Sequence, residues 1–140
     1  MNQVKPKKRP LSTATDMPYV YGHGLLVVSA RLIEQCGGVL RQFGELLPID
    51  CTEGQFFAYH CTNVMDCLDG EASRVSRSRT DGGILNVYDP VFRAERLTPK
   101  IVFRIPVGNR EVVYCDDQVH AMLIAPPLQG VTADPVWRSS

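Results

Sequence analysis

The chain has 140 residues, is 44% hydrophobic, and carries 15 Lys plus Arg against 15 Asp plus Glu for a formal net charge of zero. Such a length suits one domain, the hydrophobic share excludes wholesale disorder, and the charge balance excludes a global pull toward nucleic acid or membrane. The longest apolar runs, Leu25–Val28 and Ala121–Ala125, fall far short of the roughly 20 residues a membrane helix needs, and the basic run Lys5–Arg9 is followed by polar Ser12-Thr13 rather than by the apolar core of an export signal.

Residues 1–17 contain Lys, Pro, Ser and Thr and offer almost nothing to bury. They read as a flexible basic and polar tail that cannot recover its ordering entropy, ahead of a domain over 18–140. One short basic run, KPKKRP, supplies few of the phosphate contacts that nucleic-acid affinity needs. Tyr19–Gly24 reads as a glycine turn and lacks the spacing of a phosphate loop; His23 within it reads as solvent-facing. Leu25–Val28 then reads as a strand. Ser29 caps a short helix over ARLIEQC, with Leu32, Ile33 and Cys36 on one face, and Gly37-Gly38 is expected to end it. Glu45–Cys51 carries Pro48 and suits an edge strand. Gln55–Cys61, rich in aromatic residues, is its expected antiparallel partner.

The next stretch concentrates charge. Val64, Met65 and Leu68 are spaced like one face of a short helical turn, with Asp66, Asp69 and Glu71 between and after them. Arg74, Arg77 and Arg79 follow in what reads as a basic loop. Asp81-Gly82-Gly83 is a turn before a short strand over Ile84–Tyr88. Ile101–Val107 alternates as a strand, Gly108-Asn109 reads as a hairpin turn, and Arg110–Cys115 returns as its partner. Asp116 caps a second helix with Val119, Met122 and Leu123 as its buried stripe, and Pro126-Pro127 stops it. Gly130–Trp137 is a last extended segment, with Trp137 as a core anchor. Hairpin signals in place of strand-helix-strand repeats define an α+β fold, a largely antiparallel sheet with two short helices in a single domain.

Candidate chemistry is sparse. Five cysteines, none in a C-x-x-C pair, lie among apolar neighbours as reduced core thiols do in the cytosol. His60 and Cys61 are adjacent on a strand and point to opposite faces, so they do not share a ligand set, and no metal site or cofactor is implied. Asp66, Asp69 and Glu71 lack the order of a calcium loop and have no second constellation to make them acid-base catalysts. They form either a contact surface for a basic partner or a solvated corner paired with Arg74 or Arg77. The arginines have no interleaved aromatic residue on which a base could stack.

The run Tyr59, Asn63-Val64, Asp66, Leu68-Asp69, Glu71 and Ser73 resembles the central signature of a bacterial immunity-protein family found beside polymorphic toxin genes. The likeness extends upstream to GLLVVSAR (Gly24–Arg31), and downstream through Val91-Phe92, IVFRIPV (Ile101–Val107), EVVYCDDQV (Glu111–Val119) and QGVTADPVW (Gln129–Trp137). The family carries more chain ahead of the Ser-helix unit than this sequence does. The resemblance implies a cytoplasmic protein without catalysis that binds a cognate toxin protein and blocks it by occlusion. Asp66, Asp69, Glu71, Arg74, Arg77 and Arg79 are the expected contact residues. A nucleic-acid-associated regulatory domain using the basic tail and the Arg74–Arg79 loop is the alternative, and a thiol enzyme built on Cys61 or Cys67 a further one.

Overall fold

The computed structural model describes residues 1–6, 16–17, 19–21, 24–49, 55–108 and 112–136. His23, Cys51, Asn109, Trp137 and residues 7–15 of the expected tail lie outside them. In chain order the elements are β1 (Asn2–Pro6), β2 (Tyr19–Tyr21), β3 (Leu25–Ser29), α1 (Ala30–Phe43), β4 (Gly44–Ile49), β5 (Phe56–Cys61), β6 (Arg74–Arg77), β7 (Ile84–Asp89), β8 (Val102–Phe103), β9 (Tyr114–Cys115), α2 (Asp117–Ile124) and β10 (Val131–Pro135), with a 3-10 turn at Ala94–Arg96. The fold is α+β in one domain. Its strands divide into three antiparallel sheets, ordered β10-β1-β9-β8, β2-β3-β5-β4 and β6-β7.

The first correction concerns the tail. Asn2–Pro6 is an interior strand that pairs with β10 along its length and with β9 at Asn2 and Gln3. Val4 is buried, and the Asn2 amide donates to the Cys115 carbonyl at 3.4 Å and to Asp117 Oδ1 at 3.0 Å. Asp16 and Met17 at the other end of the segment are buried too. Composition misleads here because a strand with neighbours on both edges is held largely by its backbone ladder, and one buried valine sets its register.

Asp16 ties three segments together. Its carboxylate accepts from Ser29 Oγ at 2.6 Å, from Arg31 Nε at 3.1 Å and Nη2 at 2.8 Å, and from the Gln129 backbone N–H at 2.7 Å. Burial acts to raise its pKa, but the bonds from Arg31, Ser29 and Gln129 with the Arg31 charge outweigh it, and the net shift is downward.

Ser29 caps α1 as expected, its Oγ accepting from the Leu32 N–H at 3.0 Å. The helix does not stop at Gly37-Gly38 but runs to Phe43. Its apolar stripe continues through Leu40 beyond the glycines, and that packing outweighs their poor propensity. Gly37 is buried on this helix, where an added Cβ would stand 2.9 Å from Ile33 Cγ2. The expected edge strand is β4, which pairs with β5 and has no second strand beside it among the described residues. Tyr19–Tyr21, expected within a turn, is the strand at the opposite edge of that sheet.

Two apolar clusters explain why Ile101–Ile105 is apolar beyond its alternation. Val102, Val113 and Cys115 face a first core built with Val4, Val28, Leu32, Tyr59 and Leu123. Ile101, Phe103, Ile105 and Tyr114 face a second core with Cys67, Leu68, Val87 and Phe92. The alternation therefore separates two cores instead of core from solvent. Phe103 and Tyr114 stack at 5.6 Å between centroids, and Phe92 meets both edge-on at 5.2 and 5.1 Å. In the first core Tyr59 is fully buried and its hydroxyl donates to the Leu40 carbonyl at 2.7 Å.

Candidate functional site

The segment Val64–Leu68 is not the helical turn its spacing suggests. Its backbone bonds run sideways: Met65 N–H donates to the Arg104 carbonyl at 2.7 Å, and the Arg104 N–H donates to the Asn63 carbonyl at 2.8 Å. The Arg93 N–H donates to the Cys67 carbonyl at 2.7 Å, and the Asp69 N–H to the Val91 carbonyl at 2.8 Å. The chain is thus extended and clamped from two sides, with Cys67 and Leu68 driven into the second core. Asp66, between the clamps, is exposed; its carbonyl accepts from Arg96 Nη1 at 2.5 Å, while its carboxylate stands 4.0 Å from the same group.

Asp69 turns the chain. Its Oδ1 accepts from the Glu71 and Ala72 N–H groups, both at 3.1 Å, which is the short-range bonding that makes aspartate a turn residue. Glu71 is exposed at the tip. Ser73 pins the exit: it is buried, its Oγ accepts from the Val91 N–H at 2.8 Å, and it donates to the Val91 carbonyl at 3.3 Å.

The expected basic loop is instead the strand β6 of a hairpin with β7. Arg74 donates to Asp89 Oδ2 at 2.6 Å, and its guanidinium lies 4.9 Å from the centre of the Tyr88 ring. Arg77 donates to the Gly82 carbonyl at 3.0 Å and to the Gly70 carbonyl at 3.3 Å, which brings it against the acidic turn without pairing it to a carboxylate. Arg79 is exposed at the end of the hairpin. So Arg74 pairs with Asp89, and neither it nor Arg77 forms an ion pair with Asp66, Asp69 or Glu71. Both members of the Arg74–Asp89 pair are exposed, and such a pair contributes about 0–1 kcal/mol to stability.

Sequence reasoning missed Leu85, Tyr88 and Asp89, which the hairpin places beside the arginines. The signal was present: Ile84–Asp89 lacks a period-two pattern, and a strand that breaks alternation reports a bulge or a second face.

Buried thiols flank this region without joining it. Burial pushes Cys67 up to about 11, with Asp66 adding to the rise, and burial also raises Cys61. Cys36 is pushed to about 11 and Cys115 to about 12 by the same cause. A thiol so shifted is almost wholly protonated at neutral pH, and the thiolate is the nucleophile. Among the described residues no group of three His, Cys, Asp or Glu is placed to hold a metal ion. A cavity of about 10 Å³ lies within the first core, bordered by Leu26, Leu32, Tyr59 and Val102, and has room for no more than a water. No described helix is long and apolar enough to cross a membrane. No protein-family model matches the chain, and no curated protein matches it.

Proposed function

We propose that this chain is a cytoplasmic immunity protein that binds a cognate toxin domain and neutralises it by occlusion, without catalysis of its own. The observation that carries the reading is the corner from Asp66 to Asp89. It displays acids and arginines on a backbone clamped to the second core by Val91, Arg93 and Arg104, and apart from the exposed Arg74–Asp89 pair its arginines are not matched to its acids. A fixed, charged surface suits the covering of a toxin's active site or substrate groove. Occlusion that leaves almost no free toxin requires roughly nanomolar or tighter affinity with slow release, which an interface of about 1,600 Å² with a few buried anchors supplies.

The nucleic-acid alternative is less well supported. Arg74, one of the three arginines that would track a phosphate backbone, is committed to Asp89 and Tyr88. The thiol-enzyme alternative meets thiols held high by burial.

The reading predicts a toxin reading frame beside this chain's gene, and it is tested by expressing that toxin domain with and without the chain. Rescue of growth together with a stable one-to-one complex of the purified proteins is the expected result. Unrescued growth with a soluble, folded chain and no complex would refute it.

A further inference from the structure

The pairing of β6 with β7 skips a residue twice. Arg74 lies opposite Asp89 and Val75 opposite Val87, so Tyr88 has no counterpart across the ladder. Ser76 lies opposite Asn86 and Arg77 opposite Ile84, so Leu85 has none either. A regular strand would send residues 85, 87 and 89 to one face and 84, 86 and 88 to the other. Here Val87 is buried and Ile84 half-buried, while Leu85, Asn86, Tyr88 and Asp89 are all exposed. Tyr88 takes the outward face that regular alternation gives it opposite Val87, while the skip at Leu85 turns outward a position that would otherwise share the face of Val87, leaving Leu85 56% and Tyr88 52% exposed. Bulges of this kind re-aim side chains.

The Tyr88 ring is also held. Arg74 lies over it at 4.9 Å and is itself fixed by Asp89 at 2.6 Å. Beside the pair, Arg77 and Arg79 meet no carboxylate among the described residues. Leu85 and Tyr88 thus share a hairpin with arginines that no carboxylate matches, the composition of an interface centre with a cationic edge.

We infer that Leu85 and Tyr88 are the anchors of the partner surface, and that the partner is a protein with an apolar pocket rimmed by carboxylates. The pocket takes the tyrosine and leucine; the carboxylates meet Arg77 and Arg79. This rests on the reading of the corner as a protein-binding site and adds which residues dominate it and what faces them.

The test uses the full chain and the purified toxin domain encoded beside its gene, with binding kinetics at two salt concentrations. Tyr88→Ala combined with Leu85→Ser is expected to weaken binding more than 100-fold, chiefly through faster release. Arg77→Glu combined with Arg79→Glu is expected to slow association, with a deficit that shrinks as salt rises. Circular dichroism and melting of each variant alone confirm folding. If the wild-type chain binds and the Tyr88/Leu85 variant binds equally well, the anchors are refuted while the immunity reading stands. Charge reversal that leaves association unchanged refutes the acidic rim. A wild-type chain that does not bind overturns both the reading and the inference.

Discussion

Strands β5 and β7 are both six residues long, and the fold uses them in opposite ways. β5 is paired in unbroken register on both sides, with β3 and with β4, and sends Tyr59 and Cys61 fully inside. β7 is paired, among the described residues, with β6 alone, skips two residues, and buries Val87 while exposing Leu85 and Tyr88. A regular ladder with period two maximises burial; a bulged one gives some of it up to aim side chains at solvent. The difference separates scaffold from display. Substitutions on the scaffold should register in stability, and those on the hairpin in binding.

The scaffold side of that contrast is broken most severely by removing β1. Truncation of Met1–Pro6 takes an interior strand out of the β10-β1-β9-β8 sheet and strips ladder bonds from both neighbours. In a domain stable by only about 5–15 kcal/mol, the expected outcome is loss of a cooperative thermal transition. A truncated chain that melts like wild type would mean that β1 is an ornament on the sheet.

Tyr59→Ala comes next, with an expected loss of about 3–5 kcal/mol from the cavity it leaves, measured by urea unfolding. Tyr59→Phe isolates the hydroxyl bond to Leu40 and should cost about 1 kcal/mol.

Asp16→Asn should cost about 2–3 kcal/mol at neutral pH, because a buried charge-assisted network loses its anion. Its pH dependence fixes the sign. The folded pKa of Asp16 lies below its ordinary value of 3.8. Stability from this carboxylate is therefore fully present above pH 3.8 and is lost as pH falls through the lower folded value. Wild type should lose stability across that acid window, and Asp16→Asn should lose less there. Parallel acid limbs for the two proteins would remove Asp16 from the account.

The smallest effect sharpens the contrast instead of breaking it. Tyr88→Ala and Leu85→Ser, each measured without partner, should change stability by no more than about 0.5 kcal/mol, as exposed substitutions do. A loss comparable with that of Tyr59→Ala would place the hairpin among the scaffold elements.

Much of the scaffold was legible in the sequence because its signals are local. Ser29 and Asp116 announce their helices by capping, and the structure shows both caps at 3.0 and 2.9 Å. Pro48 announces an edge strand, and β4 is one. What was not legible depends on partners distant in the chain. β1 is polar, and its placement rests on a ladder with β10, far along the sequence. The helical turn expected at Val64–Leu68 gave way to pairing with residues 92 and 104. For α1, the stripe beyond Gly37-Gly38 outweighed a local stop signal. The charged residues of the candidate site were visible by composition, but the side chains that share their surface were not. Leu85 and Tyr88 read as ordinary strand positions; the broken alternation of Ile84–Asp89 pointed to a bulge, and the register of β7 against β6 shows which residues it skips.

Amide hydrogen exchange on the chain alone and in complex with the proposed toxin partner tests the division into scaffold and display most directly. The account predicts that the scaffold amides of β3, β5 and α1 are already slow in the free chain and stay unchanged. Added protection should fall within residues 66–96, strongest along β7. Protection that appears instead on the edge strand β4, with the 66–96 segment unaltered, would contradict the account and move the interface to the opposite sheet.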